Sequence, residues 1–299
     1  MAGAADRWGT PPTIPGTAMR GLTEPGPGFM LASSAPAYGP VMRCVIVIPT
    51  YNEASALPGL LAALEALRGT AQRPAVDVLV VDDNSPDGTG DLVRAHHGFG
   101  NWLSLLTRTS KDGLGAAYRA GFAAAIAAGY DAVVQMDADG SHPVAAVPEM
   151  LALLDTHEVV LGSRYVPGGA TENWPVRRRV LSWCANFYAR RVLALSTRDT
   201  TSGFRAWRTD ALVRAGVLDT ASNGYGFQVE NTWRCERLGL RVAEHPITFT
   251  ERTAGASKMS PEVAREAAAL VLRWRIGEIT HRSSAPGAQS AQATGVRPR

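Results

Sequence analysis

The sequence has no apolar run long enough to span a lipid bilayer. Such a span needs about 20 predominantly apolar residues, whereas the alanine-rich stretch at 122–128 is far shorter. The N-terminus also lacks the basic segment and apolar run that make up a signal peptide. We therefore expect neither a transmembrane helix nor export, and the expected location is the cytoplasm.

Cysteine and lysine are both scarce. The three cysteines, Cys44, Cys184 and Cys235, are odd in number and lack the spacing of a metal site. They predict buried or free thiols in a reducing compartment. Of the 30 basic residues only two are lysines, Lys111 and Lys258. Both fall inside motif segments described below, which favours a chemical role for them.

Strong net charge is absent, and so is a dinucleotide fingerprint. A net charge of +3 over 299 residues gives no electrostatic argument for a nucleic-acid partner. No Gly-x-Gly-x-x-Gly follows the first predicted strand, and Gly113 and Gly115 lack the rest of that fingerprint. The sequence therefore argues against an oxidoreductase that binds a dinucleotide.

Three apolar segments each end in a polar loop. Residues 44–48, 76–81 and 132–136 have the composition of buried strands, and leucines at helical spacing over 57–67 follow the first. Repeated strand, loop and helix predict an α/β fold with a mostly parallel sheet flanked by helices. Ligands of such sheets bind beyond the carboxyl ends of the strands. We therefore expect the three loops to form one site.

The loop after the third segment carries two carboxylates, Asp137 and Asp139. Carboxylates two residues apart converge once a strand breaks, and hard divalent cations prefer oxygen ligands. A solvated acidic turn without any ligand has the same sequence. The neighbouring motifs favour the metal site.

Composition divides the chain into a folded part and two tails. Residues 1–40 and 281–299 are rich in Gly, Pro, Ala and Ser, which predicts disorder. One domain is expected over 41–258, followed by an amphipathic helix over 259–280. That helix carries Arg273, Trp274 and Arg275; it can lie in a membrane interface or dock on its own domain.

Seven short segments, in order and at compatible spacing, are similar to the motifs of one family. They are residues 49–53, 82–88, 136–143, 162–165, 202–205, 224–228 and 255–259. Together they resemble the inverting GT-A glycosyltransferases of family 2, and among these the polyprenyl-phosphate (dolichyl-phosphate) mannose synthases. The resemblance runs from about residue 41 to residue 259 and implies a Rossmann-like GT-A fold.

The resemblance implies a site for the nucleotide of a sugar donor. The residues that match it are Pro49, Tyr51, Glu53, Asp82, Asp83, Lys111, Arg252 and Lys258. Carboxylates suit this role because they accept hydrogen bonds from base N–H groups and ribose hydroxyls. Arg252 and Lys258 lie on a loop that folds over the donor diphosphate in the family.

A metal site is implied as well, with Asp137, Asp139 and Ser141 as ligands of Mg²⁺ or Mn²⁺. Such a cation would neutralise the charge on the departing diphosphate. Many synthases of the family have a glutamine two residues after the second aspartate, where this chain has Ser141. A hydroxyl is a weaker ligand than an amide carbonyl, so Ser141 could act through a water.

The acceptor phosphate is implied to bind Arg164, Arg178 and Ser182, which with Asp139 form the expected catalytic set. Arginine suits a phosphate because its planar fork pairs two oxygens at once. Arg178 and Ser182 are four residues apart and share a face if a helix starts near residue 175. An anionic phosphate needs no general base to deprotonate it.

The implied reaction transfers mannose from GDP-mannose to a polyprenyl phosphate with inversion, giving polyprenyl-phosphate β-mannose and GDP. Transfer of glucose from UDP-glucose to the same lipid is the alternative, because loop geometry decides base and sugar recognition. An inactive scaffolding homologue is a third hypothesis, against which the intact aspartate pair and arginines argue.

The lipid substrate implies a membrane surface as a further partner. An enzyme without a spanning segment is expected to be peripheral on the inner face of the cytoplasmic membrane. In the family, members without transmembrane helices depend on a separate integral-membrane partner protein. Residues 261–279 are the expected contact with the bilayer.

Overall fold

A computed structural model of the chain describes residues 42–69, 76–222, 224–251, 265 and 268–276. The predicted disordered tails, 1–40 and 281–299, lie outside the described residues, as do Arg252 and Lys258. In the part that is described, no helix combines the length and the apolar character that crossing a membrane requires.

Strands and helices alternate along most of the chain. In order they are β1 Cys44–Thr50, α1 Leu57–Arg68, β2 Val76–Asp82, α2 Thr89–Ala95, β3 Leu103–Thr107, α3 Leu114–Ala127, β4 Ala132–Gln135, α4 Val147–Leu153, β5 Val159–Ser163, β6 Ala170–Glu172, α5 Val176–Leu193, β7 Arg205–Arg208, α6 Thr209–Arg214, α7 Gly224–Arg237, β8 Val242–Pro246 and β9 Thr248–Thr250.

Seven of these strands form one mixed sheet in the order β3-β2-β1-β4-β7-β5-β8. All neighbouring pairs are parallel except those of β7, which runs antiparallel to β4 and to β5. Strands β6 and β9 pair separately, in parallel. The predicted α/β fold with a mostly parallel sheet is confirmed, and the antiparallel β7 is an addition to it.

Both faces of the sheet are covered, which explains why its central strands read as continuous apolar runs. Successive side chains of a strand point to opposite faces. Ile46 and Ile48 of β1 accordingly belong to the core beneath α1 and α4. Val45 and Val47 belong to the core beneath α3, α6 and α7.

The C-terminal segment 268–276 is helical and packs on the domain. Val271 is buried in a cluster with residues of α5 and α7, and the Tyr188 hydroxyl donates to the carbonyl of Ala268 (3.1 Å). The Trp274 ring stacks on Trp233 at 5.8 Å between centroids. The described segment is therefore docked on its own domain, which is one of the two expected arrangements. A helix over the whole of 259–280 stays a prediction.

Helix α3 approaches the sheet closely at Gly121, and this contact generates a prediction about stability. A Cβ at Gly121 would lie 2.4 Å from Cγ1 of Val47 and 2.9 Å from Cγ2 of Val81. We expect Gly121→Ala to lower the free energy of unfolding by about 1–3 kcal/mol through overpacking. Urea denaturation measures the change.

Gly59 provides the matched control, because it lies in α1 with nothing within 4 Å of an added Cβ. Gly59→Ala should raise stability by about 0.5–1 kcal/mol through the better helix propensity of alanine. Equal effects of the two substitutions would contradict the close approach of α3 to the sheet.

Candidate active site

A cavity of about 930 Å³ opens at the carboxyl ends of β1, β2 and β4. It is the edge at which α/β sheets bind ligands. The expected site residues that line this cavity are Pro49, Tyr51, Glu53, Asp83, Lys111, Asp137, Asp139, Arg164, Arg178 and Ser182. The structure therefore brings together residues that are spread over more than 130 positions of sequence. Asp82 and Ser141 are not in the lining.

The loop after β1 is held against the loop after β2 by three hydrogen bonds. The backbone N–H groups of Asn52, Glu53 and Ala54 donate to side-chain oxygens of the second loop and of the first residue of α2, at 3.0 to 3.1 Å. The acceptors are Ser85, Thr89 and Asp87, in that order. These bonds fix the positions of Tyr51 and Glu53 in the cavity wall.

The two neighbouring carboxylates Asp82 and Asp83 have different surroundings. Oδ1 of Asp82 accepts from the Thr50 hydroxyl (2.8 Å) and the Ser85 hydroxyl, and its Oδ2 accepts from the Ser85 N–H (3.0 Å). Asp82 is buried outside the cavity lining, and its contacts support the loop from within. The expected contact between Asp82 and a nucleotide stays a prediction, for a residue that lies outside the cavity lining.

Asp83 lines the cavity and is paired with Arg108, whose Nη1 lies 2.6 Å from Oδ1. The second guanidinium nitrogen of Arg108 contacts Asp112 at 2.8 Å. Burial raises the pKa of Asp83, although Arg108 acts in the opposite direction. Near it, the Lys111 ammonium lies 3.7 Å from the centroid of the Tyr51 ring, a cation–π distance.

The Asp137–Asp139 turn is held by neighbouring polar groups. The Tyr118 hydroxyl donates to Oδ1 of Asp137 (2.7 Å), and burial followed by the Asp137 charge raises the pKa of Tyr118. Ser141 donates to Oδ1 of Asp139 through its hydroxyl (2.6 Å) and its N–H (3.1 Å). Ser141 thus orients a carboxylate in this structure, and its expected role as a metal ligand stays a prediction.

His142 supports the same turn from behind. Its Nδ1 accepts the backbone N–H of Asp137 (3.1 Å). Its ring stacks on Phe204 at 5.0 Å and meets Phe249 edge-on at 5.6 Å. Burial lowers the pKa of His142, outweighing the opposing charges of Asp137 and Asp139. The imidazole is therefore neutral and carries its proton on Nε2.

The residues at this turn fit a hard divalent cation. Both acidic side chains supply oxygen, which Mg²⁺ and Mn²⁺ prefer. Gly203 keeps room beside them, since a Cβ there would lie 3.5 Å from Oδ2 of Asp137 and 3.6 Å from Nε2 of Gln228. Two protein carboxylates are typical of Mg²⁺ sites, which take further ligands from substrate phosphates and water.

A second group of metal-ligating side chains, Glu65, His96 and His97, lies elsewhere on the surface. His97 contacts the Glu65 carboxylate, and Nδ1 of His96 accepts the Gly98 N–H (3.1 Å). These contacts place the group at the C-terminal end of α2, away from the cavity lining.

The opposite wall of the cavity carries the arginines. Arg164 contacts the buried Asp199 through Nε and Nη2, both at 2.7 Å, and its Nη2 also contacts Thr201 at 2.8 Å. Arg178 forms an ion pair with Glu251, and its guanidinium lies 4.2 Å from the Trp174 ring centroid. Both arginines are thus pre-oriented in the wall before any ligand is bound.

Ser182 occupies the same wall, one helical turn after Arg178. Helix α5 begins at Val176 after Pro175, as the shared face of Arg178 and Ser182 requires. The Tyr165 hydroxyl donates to Oγ of Ser182 (2.8 Å). Sequence reasoning missed the four residues that contact this wall's polar side chains, namely Tyr165, Trp174, Asp199 and Glu251. Tyr165 directly follows Arg164 in the motif at 162–165.

A buried cation lies beneath the cavity floor. Arg205 is fully buried and donates to the carbonyls of Ser202 and Gln228, both at 2.9 Å. Burial lowers the pKa of Arg205 to about 10, so the guanidinium remains charged at neutral pH. Ser202 and Gln228 themselves line the cavity. A fixed positive charge below a cavity favours anionic ligands.

Comparison with solved structures agrees with this architecture. A glucosyl-3-phosphoglycerate synthase from Mycobacterium tuberculosis, in complex with Mn²⁺, UDP-glucose and phosphoglyceric acid, is 22% identical with a TM-score of 0.56, covering 79% of this chain and 80% of that one. A mannosyl-3-phosphoglycerate synthase from Rubrobacter xylanophilus is 16% identical with a TM-score of 0.55, covering 84% and 78%. The predicted GT-A fold is confirmed.

Comparison with protein sequences defines the family. An undecaprenyl-phosphate mannosyltransferase from Micrococcus luteus is 49% identical over 78% of this chain and 94% of the relative. A polyprenol monophosphomannose synthase from Mycolicibacterium smegmatis is 43% identical over 85% and 96%. The family model "Glycosyl transferase family 2" matches residues 45–215. The chain therefore belongs to glycosyl transferase family 2 and, within it, to the polyprenyl-phosphate mannose synthases that its motifs resemble.

Proposed function

We propose that the enzyme transfers mannose from GDP-mannose to a polyprenyl phosphate with inversion, giving polyprenyl-phosphate β-mannose and GDP. One observation carries this proposal: a single cavity joins the Asp137–Asp139 pair to a wall containing Arg164 and Arg178. The first part suits a metal-bound diphosphate, and the second suits a phosphate acceptor. The names of the two sequence relatives supply the sugar and the lipid.

The donor nucleotide would bind along the loops after β1 and β2. Tyr51 and Lys111 offer an aromatic ring and a cation, and Glu53 and Asp83 offer acceptors for the N–H groups of a guanine and the hydroxyls of a ribose. Pro49, near the end of β1, lines the cavity beside them. Arg252 and Lys258 are proposed to contact the diphosphate. A UDP-glucose donor is the alternative, because carboxylate acceptors also suit uracil and its ribose.

A bound Mg²⁺ or Mn²⁺ would supply Lewis-acid chemistry at the diphosphate. Asp137 and Asp139 are the proposed ligands, and a solved relative of the same fold binds Mn²⁺ together with UDP-glucose. The contacts of Tyr118 with Asp137 and of Ser141 with Asp139 favour one orientation of each carboxylate. Such supporting contacts tune metal affinity in other proteins.

The acceptor phosphate would bind by exchange with a carboxylate of the protein. Arg178 is paired with Glu251, and both side chains line the cavity. An arriving phosphate would replace Glu251 on Arg178 and gain a hydrogen bond from Ser182. Arg164 would contribute its charge while Asp199 holds it in place. The carboxylate of Glu251 thus marks the position of an anion on this wall.

In the proposed reaction, an oxygen of the lipid phosphate attacks the anomeric carbon of mannose opposite the bond to the diphosphate. The new carbon–oxygen bond forms as the old one breaks, and GDP departs with the electron pair of the broken bond. Attack from the opposite side converts an α-linked donor into a β-linked product. No proton transfer is needed, because the phosphate is already an anion.

The product assay tests the proposal directly. The protein is incubated with labelled GDP-mannose, Mg²⁺ or Mn²⁺ and a polyprenyl phosphate, and label is measured in the chloroform phase. We expect labelled mannosyl-lipid in that phase. Excess unlabelled GDP-mannose should lower the label strongly, whereas the same excess of UDP-glucose should lower it only slightly. A parallel incubation uses labelled UDP-glucose. Label in the lipid from that donor alone would support the alternative donor, and no lipid product from either donor would contradict the proposed function.

The carboxylate pair makes a second prediction. Asp139→Asn keeps the shape of the side chain but removes a charged ligand, so transfer should fall at least about a hundredfold with little change in stability. Tyr118→Phe removes only the hydroxyl that orients Asp137, and should raise the Mg²⁺ concentration for half-maximal rate about tenfold. Wild-type turnover of Asp139→Asn at ordinary metal concentrations would overturn the assignment.

The acceptor wall predicts two changes of opposite sign. Arg178→Ala should raise the KM for detergent-solubilised polyprenyl phosphate about 10- to 100-fold, since a charged hydrogen bond contributes about 1.5–3 kcal/mol. Glu251→Gln removes the competing charge and should lower that KM. Binding of GDP-mannose should change little in either variant.

Arg214→Ala is the control for this pair, because Arg214 lies on α6 with an exposed side chain outside the cavity lining. It should leave both substrates unaffected. A loss of donor binding in Arg178→Ala equal to its loss of acceptor binding would move Arg178 to the nucleotide side. An increase of KM in Glu251→Gln would contradict the exchange.

A further inference from the structure

The indole ring of Trp174 contacts both arginines of the acceptor wall. Its centroid lies 4.2 Å from the Arg178 guanidinium and 5.3 Å from that of Arg164, which are cation–π distances. Trp174 lines the cavity and is only 8% exposed. One nearly buried ring thus touches both cations that the proposed function assigns to the acceptor phosphate.

The chain around Trp174 restricts the direction of its ring. Asn173 has a left-handed backbone, with a φ of 60°, a conformation that asparagine adopts more readily than most residues. Pro175 follows, and a residue before a proline is driven toward extended conformations. The Phe249 ring meets the indole edge-on at 5.4 Å between centroids, and Phe249 is held by its pairing with Thr171 in the β6–β9 ladder. The indole is therefore fixed by its own backbone and by the small sheet.

The N–H group of Trp174 gives no reason for a tryptophan at this position. It is buried and has no hydrogen-bond acceptor among the described residues. A buried donor without a partner costs free energy that phenylalanine or leucine would avoid. Among aromatic side chains, however, tryptophan attracts a cation above its ring most strongly. The contact with the arginines is thus the property that favours tryptophan here.

The two arginines depend on this ring to different degrees. Asp199, which is fully buried, holds Arg164 through two hydrogen bonds of 2.7 Å. Arg178 is paired with Glu251, and in the proposed exchange that carboxylate leaves when the phosphate arrives. Within the described part of the chain, the Trp174 ring is then the side chain that remains in contact with the Arg178 guanidinium.

We propose that Trp174 is a positioning residue for the acceptor phosphate, because its ring keeps the Arg178 guanidinium in place after Glu251 has left. An aromatic face attracts a cation without occupying its N–H groups, whereas a carboxylate occupies them. The ring therefore pre-orients the long arginine side chain without competing with the phosphate, which reduces the conformational entropy lost on binding. The inference rests on the proposed function for the identity of the anion.

Binding of a short-chain, water-soluble prenyl phosphate tests this role without turnover. Its affinity is measured by calorimetry in the presence of GDP and Mg²⁺. Trp174→Leu keeps an apolar side chain but removes the ring, and should weaken binding about tenfold; Trp174→Phe keeps an aromatic face and should weaken it only about two- to threefold. GDP-mannose should bind both variants as it binds the unchanged protein, which also shows that they are folded.

Two results of this comparison would overturn the proposal. One is an equal loss of prenyl-phosphate affinity in Trp174→Leu and Trp174→Phe, and the other is a loss of GDP-mannose binding as large as the loss of acceptor binding. The proposed function is tested separately: if the unchanged protein binds the prenyl phosphate but transfers no mannose, that function fails while the binding comparison still decides the role of Trp174.

A double-mutant cycle separates positioning from general support of the wall. In the Arg178→Ala background, Trp174→Leu should weaken prenyl-phosphate binding by less than about twofold further, because the guanidinium that the ring holds is gone. In turnover assays the effect of Trp174→Leu should fall on the KM for the prenyl phosphate rather than on kcat. Additive losses in the cycle would show a merely structural ring, against the proposal.

Trp102 provides the matched control, because it makes the same kind of contact away from the cavity. It is 7% exposed, and the Arg68 guanidinium lies 5.2 Å from its ring centroid, but neither residue lines the cavity. Trp102→Leu and Trp102→Phe should leave the affinity for the prenyl phosphate unchanged. A loss in Trp102→Leu equal to that in Trp174→Leu would attribute the effect to loosening of the whole domain and would overturn the assignment.

Discussion

The parallel pairing of β1 with both β2 and β4 is the constraint on which the rest of the site depends. Thr50 pairs with Asp82 on one side, and Val47 pairs with Gln135 on the other. Since all three strands run in the same direction, their polar loops leave the sheet at one edge. The loops after β1 and β2 and the Asp137–Asp139 turn therefore meet in one cavity. The large apolar content of β1 secures this arrangement, because both of its faces are buried.

Charge distribution within the cavity matches a reaction between two anionic groups. A diphosphate leaving group and an anionic phosphate repel each other, so both must be held near cations. Arg164 and Arg178 stand in the wall, while Arg205 is buried below the floor. Glu251 and Asp199 hold the two wall arginines in place, which avoids leaving a half-buried charge without a partner. In the proposed exchange the carboxylate that leaves is Glu251, because Asp199 is fully buried and also fixed by Glu244 through its backbone N–H (2.9 Å).

Much of the fold could be predicted because the central strands are short, continuous apolar runs followed by polar loops. The strands that escaped prediction lack this pattern. Strand β7 begins and ends with arginine, and its first residue, Arg205, is buried against backbone carbonyls that no local sequence pattern reveals. Strand β8 is only half-buried and contains Glu244 and His245. Its pairing with β5 rests on long-range packing.

The same distinction applies to the site. Motifs identified the side chains that line the cavity, but they could not separate Asp82 from Asp83, which are adjacent in sequence. The Thr50 and Ser85 hydroxyls, which both donate to Asp82, and the pairing of Asp83 with Arg108 make that separation. Nor could sequence assign Ser141 to the orientation of Asp139, or reveal Tyr118, which donates to Asp137 from α3, and Glu251, which lines the cavity. A residue whose role is to orient another side chain leaves no recognisable pattern of its own in the sequence.

Helix α5 combines two demands that are usually met by different elements. One side presents Arg178 and Ser182 to the cavity, and the other exposes apolar side chains such as Trp183 and Phe187. On the surface of a soluble protein, an amphipathic helix normally turns its apolar side toward the core. Here Ser182 and Asn186 are buried while Trp183 and Phe187 are exposed. The active site accounts for the polar side that faces inward, because Arg178 and Ser182 line the cavity from that side of α5.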